Sequence, residues 1–323
     1  MTNTAANPTP SQIIKEFPLT FFRGIGQVMF QDSIWTGIFF TIGIFWGAYA
    51  SHTPAVAWGM LLGTFVSTLA GYLMGLKDSN GSQGLWGFNG CLVGCALPTF
   101  LGNTIWMWLA IIFCSAMTTW VRSGLDNVWG KWNLSTFTFP FVLCTWFFLL
   151  AARAMHGMPP VEESAPAFPV EGSTALSLGF VDLVIYWLKG ISQVFLINSW
   201  VTGAIFLVGL AVSSWRAALW CAVSSAVALL VIILWQGPGA DISAGLYGFS
   251  AVLTGIALGA TFCNYSWKAA VWAVLGVIAT VFIQAAMNIF FAPIGLATLT
   301  GPFCIATWLF LLPAYPWFMP KSN

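Results

Sequence analysis

The chain has 323 residues, of which 59% are hydrophobic and 16% aromatic, whereas only 6% are charged. Soluble domains usually carry about 25% charged residues, so this composition excludes an ordinary water-soluble fold. The formal net charge of +1 provides neither a basic face for nucleic acid nor an acidic tail. Apolar stretches of about 20 residues recur from Ile34 onward, which indicates a bundle of α-helices in a lipid bilayer.

The predicted elements follow one another in two halves. Residues 1–16 form a polar tail without the basic and apolar regions of a signal peptide, so we expect this tail to be retained. The first half covers 17–155, a proline-rich extramembrane linker covers 156–176, the second half covers 177–316 and a C-terminal tail covers 317–323. Five spans are predicted in each half, at 18–31, 34–51, 55–76, 104–122 and 136–153, and at 179–197, 200–213, 215–235, 266–288 and 298–313.

The two halves repeat one design. Three blocks recur in the same order: GIGQV (24–28) as GISQV (190–194), GLWGFN (84–89) as GLYGFS (245–250), and 134–146 as 296–308. The third pair shares Leu, Thr, Thr, Pro, Phe, Thr and Trp at matching positions. Three collinear blocks indicate an internal duplication.

Residues 84–97 and 245–258 are short and begin with glycines, so we predict that each is a re-entrant half-helix. Interrupted segments at matching places in two halves are typical of a transport site. An odd number of spans per half would invert the second half and place both termini on one side. The predicted fold is therefore an all-α membrane protein of two inverted repeats, each with five transmembrane helices and one re-entrant pore half-helix.

The basic residues favour cytoplasmic termini in the cell inner or plasma membrane. On this threading, the side of the termini carries more of them than the opposite side. The first group is Lys15, Arg122, Lys131, Lys268 and Lys321, and the second is Lys77, Arg153 and Arg216.

The sequence lacks the residues that metal-binding proteins, enzymes and ion-coupled carriers would need. The seven cysteines lie in apolar surroundings without a metal or redox spacing, so we predict reduced packing residues, no metal site and no cofactor. His52 and His156 fall in connectors, which leaves no catalytic acid–base pair and argues against an enzyme. Acidic residues lie in loops or near span ends, whereas ion-coupled carriers typically hold them at membrane depth. The sequence thus favours a passive pathway.

The blocks GIGQV, GLWGFNGCLVG and KWNLSTFTFPF, with their second-half counterparts, resemble the urea transporter family shared by bacteria and animals. The resemblance extends from about Phe17 to Tyr315, and we expect a bacterial member. It implies a homotrimer in the lipid bilayer, with urea as the solute. Each subunit would have its own pore between its halves, lined by paired phenylalanines, threonines and half-helices.

Urea is flat, neutral and strongly dipolar, so a selective pore must be narrow and rich in hydrogen-bond acceptors. Phe88 and Phe249 occupy equivalent positions and are predicted to form an aromatic slot for the planar solute. Leu92 and Leu253 lie one helical turn further on and would extend its apolar walls.

Thr138 and Thr300, each two residues before a proline, are predicted to accept urea N–H groups at mid-pore. Gln27 and Gln193 are assigned to binding sites at the two mouths. Phe30 is placed beside Gln27, and Val194 beside Gln193.

Structural roles remain as alternatives at these positions. The phenylalanines could pack between helices, the threonines could bond to the preceding turn, and the glutamines could cross-link helices. Arg23 and Lys189 could extend along the membrane boundary or set the electrostatics of the mouths. The repeat itself is imperfect, because Leu196 stands where Phe30 does and Ser250 where Asn89 does. Another small neutral solute, such as a short amide, ammonia or water, is the alternative function.

Overall fold

The structure is a computed structural model that describes residues 10–75, 81–161 and 176–315. The far N-terminal and C-terminal residues, most of the predicted linker, Lys77 and Lys321 lie outside this range. The helices are α1 (Pro10–Gln27), α2 (Ile34–Ala50), α3 (Pro54–Leu73), α4 (Gly87–Phe100), α5 (Ile105–Trp129), α6 (Phe139–Ala151), α7 (Phe180–Ser192), α8 (Trp200–Ser213), α9 (Trp215–Leu234), α10 (Gly239–Ser243), α11 (Phe249–Ile256), α12 (Trp267–Phe291) and α13 (Gly301–Leu311).

The fold is an all-α membrane fold. In the part of the chain that the structure describes, α3, α5, α9 and α12 are long and apolar enough to cross a membrane individually. The α7 and α8 segments qualify together but are bent by 73°. Further apolar helices are shorter, including α2, α4, α6, α11 and α13. The protein is therefore a multi-pass membrane protein that combines full-length spans with short helices.

The two halves meet along α2 and α8. Each helix is capped by an equivalent serine, Ser33 or Ser199, whose side chain accepts a bond from the helix backbone. The Thr36 hydroxyl donates to the carbonyl of Gly209 at 2.9 Å, and the equivalent Thr202 hydroxyl donates to Gly43 at 2.8 Å. These reciprocal bonds make α2 and α8 an antiparallel pair. The inverted arrangement of the complete halves stays a prediction.

The predicted re-entrant segment of the first half corresponds to α4, which packs against α3 through glycines. Gly94 lies against Gly59, and Gly90 lies against Gly63, so the two helices run antiparallel with their backbones in contact. The 14 residues of α4 make it about 21 Å long, shorter than the hydrocarbon core of about 30 Å.

This close approach leads to a stability prediction. A methyl group at Gly94 would overlap the carbonyl of Gly59, and forcing atoms into a packed contact typically costs about 1–3 kcal/mol. We expect Gly94→Ala to lower the unfolding temperature measured by thermal denaturation in detergent. Gly124→Ala on α5 is the matched control, because no atom lies within 4 Å of its added carbon. Equal unfolding temperatures for both variants would contradict the proposed packing.

The structure corrects one part of the charge assignment. The guanidinium carbon of Arg216 lies 3.6 Å from the ring centroid of Tyr265, in the connector that leads to Lys268. Arg216 and Lys268 therefore lie on the same side of the bundle, whereas the sequence threading placed them on opposite sides. The error arose because the threading let only the span 215–235 cross between these residues and treated 245–258 as re-entrant, whereas the contact requires the chain to return to the same side between α9 and α12.

Candidate pore between the two halves

Thr138 and Thr300 meet at the interface of the two halves. Each is the N-cap of a short helix: Thr138 precedes α6, of 13 residues, and Thr300 precedes α13, of 11 residues. Their hydroxyl oxygens lie 2.6 Å apart, and both side chains are buried. The structure thus brings together the two predicted threonines in one hydrogen bond.

The local sequence explains why α6 and α13 begin at this point. Pro140 and Pro302 occupy the second helical positions, where the backbone N–H would have no partner within the helix. Phe137 and Leu299 adopt left-handed conformations with φ of 50° and 51°, so neither preceding segment continues as a helix. Two helix N-termini, with their partial positive charge, therefore lie beside the threonine pair.

Tryptophans tie each short helix to the opposite half. The indole N–H of Trp146 on α6 donates to the carbonyl of Ala297 at 2.9 Å. The equivalent Trp308 on α13 donates to the carbonyl of Ser135, also at 2.9 Å. These bonds fix the segments that lead into Thr138 and Thr300.

The predicted slot residues begin the two helices that the sequence marked as re-entrant. Phe88 and Phe249 lie in the first turns of α4 and α11; Phe88 is buried and Phe249 half-buried. Among the described side chains, no ring contact is recorded between these two phenylalanines, so their facing geometry stays a prediction. Leu92 and Leu253 are completely buried, as either slot walls or packing residues would be.

A cluster of phenylalanines surrounds Phe30. Its ring centroid lies 6.3 Å from that of Phe137, 5.7 Å from Phe262 and 6.0 Å from Phe303. The sequence analysis selected only Phe30 from this cluster. An alignment of the two halves could have drawn attention to Phe137, because the equivalent position in the second half holds Leu299.

The predicted mouth glutamines make cross-linking bonds. The side-chain amide of Gln27 donates to the carbonyl of Gln83 at 2.9 Å, and Gln193 donates equivalently to Ala244, also at 2.9 Å. Both therefore hold the segments before α4 and α11, as the alternative interpretation expected. Their side-chain oxygens as urea-binding groups stay a prediction. Val194 is buried.

The two basic residues near these glutamines bind the same loops. Arg23 donates to the carbonyl of Ser82 and Lys189 to that of Ser243, both at 3.2 Å. Arg23 also forms an ion pair with Asp32 at 3.1 Å. These contacts favour a structural role for both cations.

A cavity of about 370 Å³ lies near the segment that leads to Thr300. It is bordered by the ends of α4, α6 and α12. Its polar side chains are Arg153, Asp241, Asn288 and Thr298. The sequence did not indicate it, because its walls come from distant segments of both halves.

Comparison with known proteins identifies the family. The sequence matches the family model described as urea transporter over residues 19–315. The chain belongs to the urea transporter family. Urea transporter 1 of Ovis aries is 31% identical over 293 residues, which cover 90% of this chain and 75% of that protein. Urea transporter 1 of Rattus norvegicus is 30% identical over 303 residues, which cover 93% of this chain and 78% of the relative.

Membership in the urea transporter family confirms the resemblance and the all-α membrane class predicted from the sequence. It also places the chain among transporters and not among enzymes. These two relatives are mammalian, and the expected bacterial origin stays a prediction.

Proposed function

We propose that this chain is a passive channel for urea in the cell inner or plasma membrane. The observation that carries the proposal is the Thr138–Thr300 contact, in a chain of the urea transporter family. It places two hydroxyl groups and two helix N-termini at the interface of the repeated halves.

The threonine pair suits urea because the solute both donates and accepts hydrogen bonds. Each hydroxyl oxygen can accept an N–H of urea, and each hydroxyl can donate to its carbonyl. When urea enters, Thr138 and Thr300 exchange their mutual bond for bonds to the solute, so neither hydroxyl is left unpaired. The N-termini of α6 and α13 add a positive potential for the urea oxygen.

The remaining pore residues set shape and access in this proposal. Phe88 and Phe249 form the slot that selects a flat solute, and Leu92 and Leu253 set its width. Gln27 and Gln193, with Phe30 and Val194 beside them, line the two mouths.

Passive flow is supported by the chemistry around the threonine pair. The recorded side-chain partners of Thr138 are Thr300 and the Cys304 sulfur at 3.4 Å, both uncharged. Asp32 and Asp126 form ion pairs with arginines. Among the described residues, the side-chain partners of Thr138 include no acidic group that could couple urea movement to an ion.

We also propose a homotrimer with one pore per subunit and cytoplasmic termini.

Proteoliposomes test the function. We expect stopped-flow light scattering to show urea permeability far above that of protein-free liposomes, with little increase for glycerol. No urea-specific increase from well-folded protein would refute the proposal. A larger increase for water, ammonia or short amides than for urea would favour the alternative solutes.

A further inference from the structure

Arg122 lies beside the proposed slot, at the C-terminal end of the predicted span 104–122. Its side chain on α5 is only 12% exposed. The guanidinium donates from Nη1 to the carbonyl of Leu85 at 2.7 Å, and its central carbon lies 5.9 Å from the ring centroid of Phe88. One side chain therefore contacts both the segment before α4 and the first aromatic ring of that helix.

Asp126 extends this contact toward the threonine pair. One of its carboxylate oxygens lies 3.3 Å from Arg122 Nε, and the other accepts the Thr136 hydroxyl at 2.8 Å. Thr136 is two residues before Thr138. A continuous series of polar contacts thus joins the entry to α4 with the entry to α6.

The second half makes equivalent contacts with neutral groups. Gln284 occupies the position of Arg122 on α12 and donates to the carbonyl of Leu246, the counterpart of Leu85. Asn288 occupies the position of Asp126 and accepts the Thr298 hydroxyl at 3.3 Å. The entries to α4 and α6 are therefore held by the ion-paired Arg122 and Asp126, and the entries to α11 and α13 by separate amide side chains.

We propose that Arg122, held by Asp126, is a positioning residue that fixes Phe88 and makes the first-half side of the slot the more rigid and more selective side. The inference rests on the proposed urea channel. Charge-assisted hydrogen bonds are roughly twice as strong as neutral ones, so the Leu85 carbonyl and the Phe88 ring are held more firmly than their counterparts. A rigid slot rejects a solute that is one methyl group larger, whereas a compliant slot yields to it.

The test replaces the ion pair by its natural second-half counterpart in Arg122→Gln/Asp126→Asn. This double variant should fold, because Gln284 and Asn288 support the same backbone geometry. We expect the ratio of urea to methylurea permeability in proteoliposomes to fall on the order of tenfold, the low end of discrimination for one methylene. Arg122→Lys should keep only part of the wild-type urea-to-methylurea permeability ratio, since the lysine ammonium lacks the planar set of donors of the guanidinium group.

Two comparisons make the result decisive. Lys131→Gln removes an exposed positive charge shortly after α5 and should keep the wild-type urea-to-methylurea permeability ratio. Hydrogen exchange over residues 84–92 should rise in the double variant and not in Lys131→Gln. If hydrogen exchange is faster in the double variant but its urea-to-methylurea permeability ratio is unchanged, Arg122 has only a structural role. If neither the exchange nor the permeability ratio changes, the proposal is overturned entirely. A wild-type protein without urea flux would refute the channel function instead, while the exchange measurement would still test whether Arg122 holds this segment.

Discussion

Thr138→Val and Thr300→Val are each expected to lower urea permeability about 5-fold to 150-fold. Valine keeps the side-chain volume but removes the hydroxyl, and an unmade bond to a dehydrated polar group costs about 1–3 kcal/mol. If that cost falls on the barrier, each 1.36 kcal/mol slows passage tenfold. Stopped-flow urea permeability per reconstituted protein is the measurement.

Thr41→Val is the matched control for the threonine variants. The Thr41 hydroxyl bonds to the carbonyl of Gly37 within its own helix, α2, away from the Thr138–Thr300 contact. Its urea permeability should stay near the wild-type value. If all three valine variants fold and conduct alike, the threonine pair is a packing contact and the pore lies elsewhere.

Phe88→Ala and Phe249→Ala should lower selectivity more than flux. Removing either ring widens the proposed slot on one side and admits bulkier solutes, so glycerol permeability should rise relative to urea. We expect the urea-to-glycerol permeability ratio to fall on the order of tenfold to a hundredfold, the range for a pocket that distinguishes small size differences.

Phe113→Ala separates slot effects from general loss of aromatic packing. Phe113 lies on α5 and is 59% exposed on the surface of the bundle. The Phe113→Ala variant should keep the wild-type urea-to-glycerol permeability ratio in the same stopped-flow assay. Wild-type ratios in well-folded Phe88→Ala and Phe249→Ala would identify both rings as packing residues.

The sequence predicted long apolar elements well because their boundaries carry local signals. The predicted span 34–51 corresponds to α2, Ile34–Ala50, which Ser33 caps. The predicted spans 136–153 and 298–313 begin too early, since α6 and α13 start only at Phe139 and Gly301. Apolar composition does not reveal the left-handed residues that precede these helices.

The repeat predicted which residues are equivalent but not which side chains touch. It identified Thr138 and Thr300, and the structure places them in contact. It did not reveal the role of Arg122: the i,i+4 spacing to Asp126 indicates an ion pair, but the bond to the backbone carbonyl of Leu85 leaves no signal in the sequence. It also missed Phe262, which reaches Phe30 from the other half of the chain.

Uptake of labelled urea into proteoliposomes tests the passive channel most directly. The measurement follows internal urea over time, with and without imposed proton and sodium gradients. Our account predicts rapid equilibration to the external concentration under every condition, and slow equilibration when the Thr138→Val/Thr300→Val protein is used. Accumulation above the external concentration under either gradient, or uptake no faster than in protein-free liposomes, would contradict it.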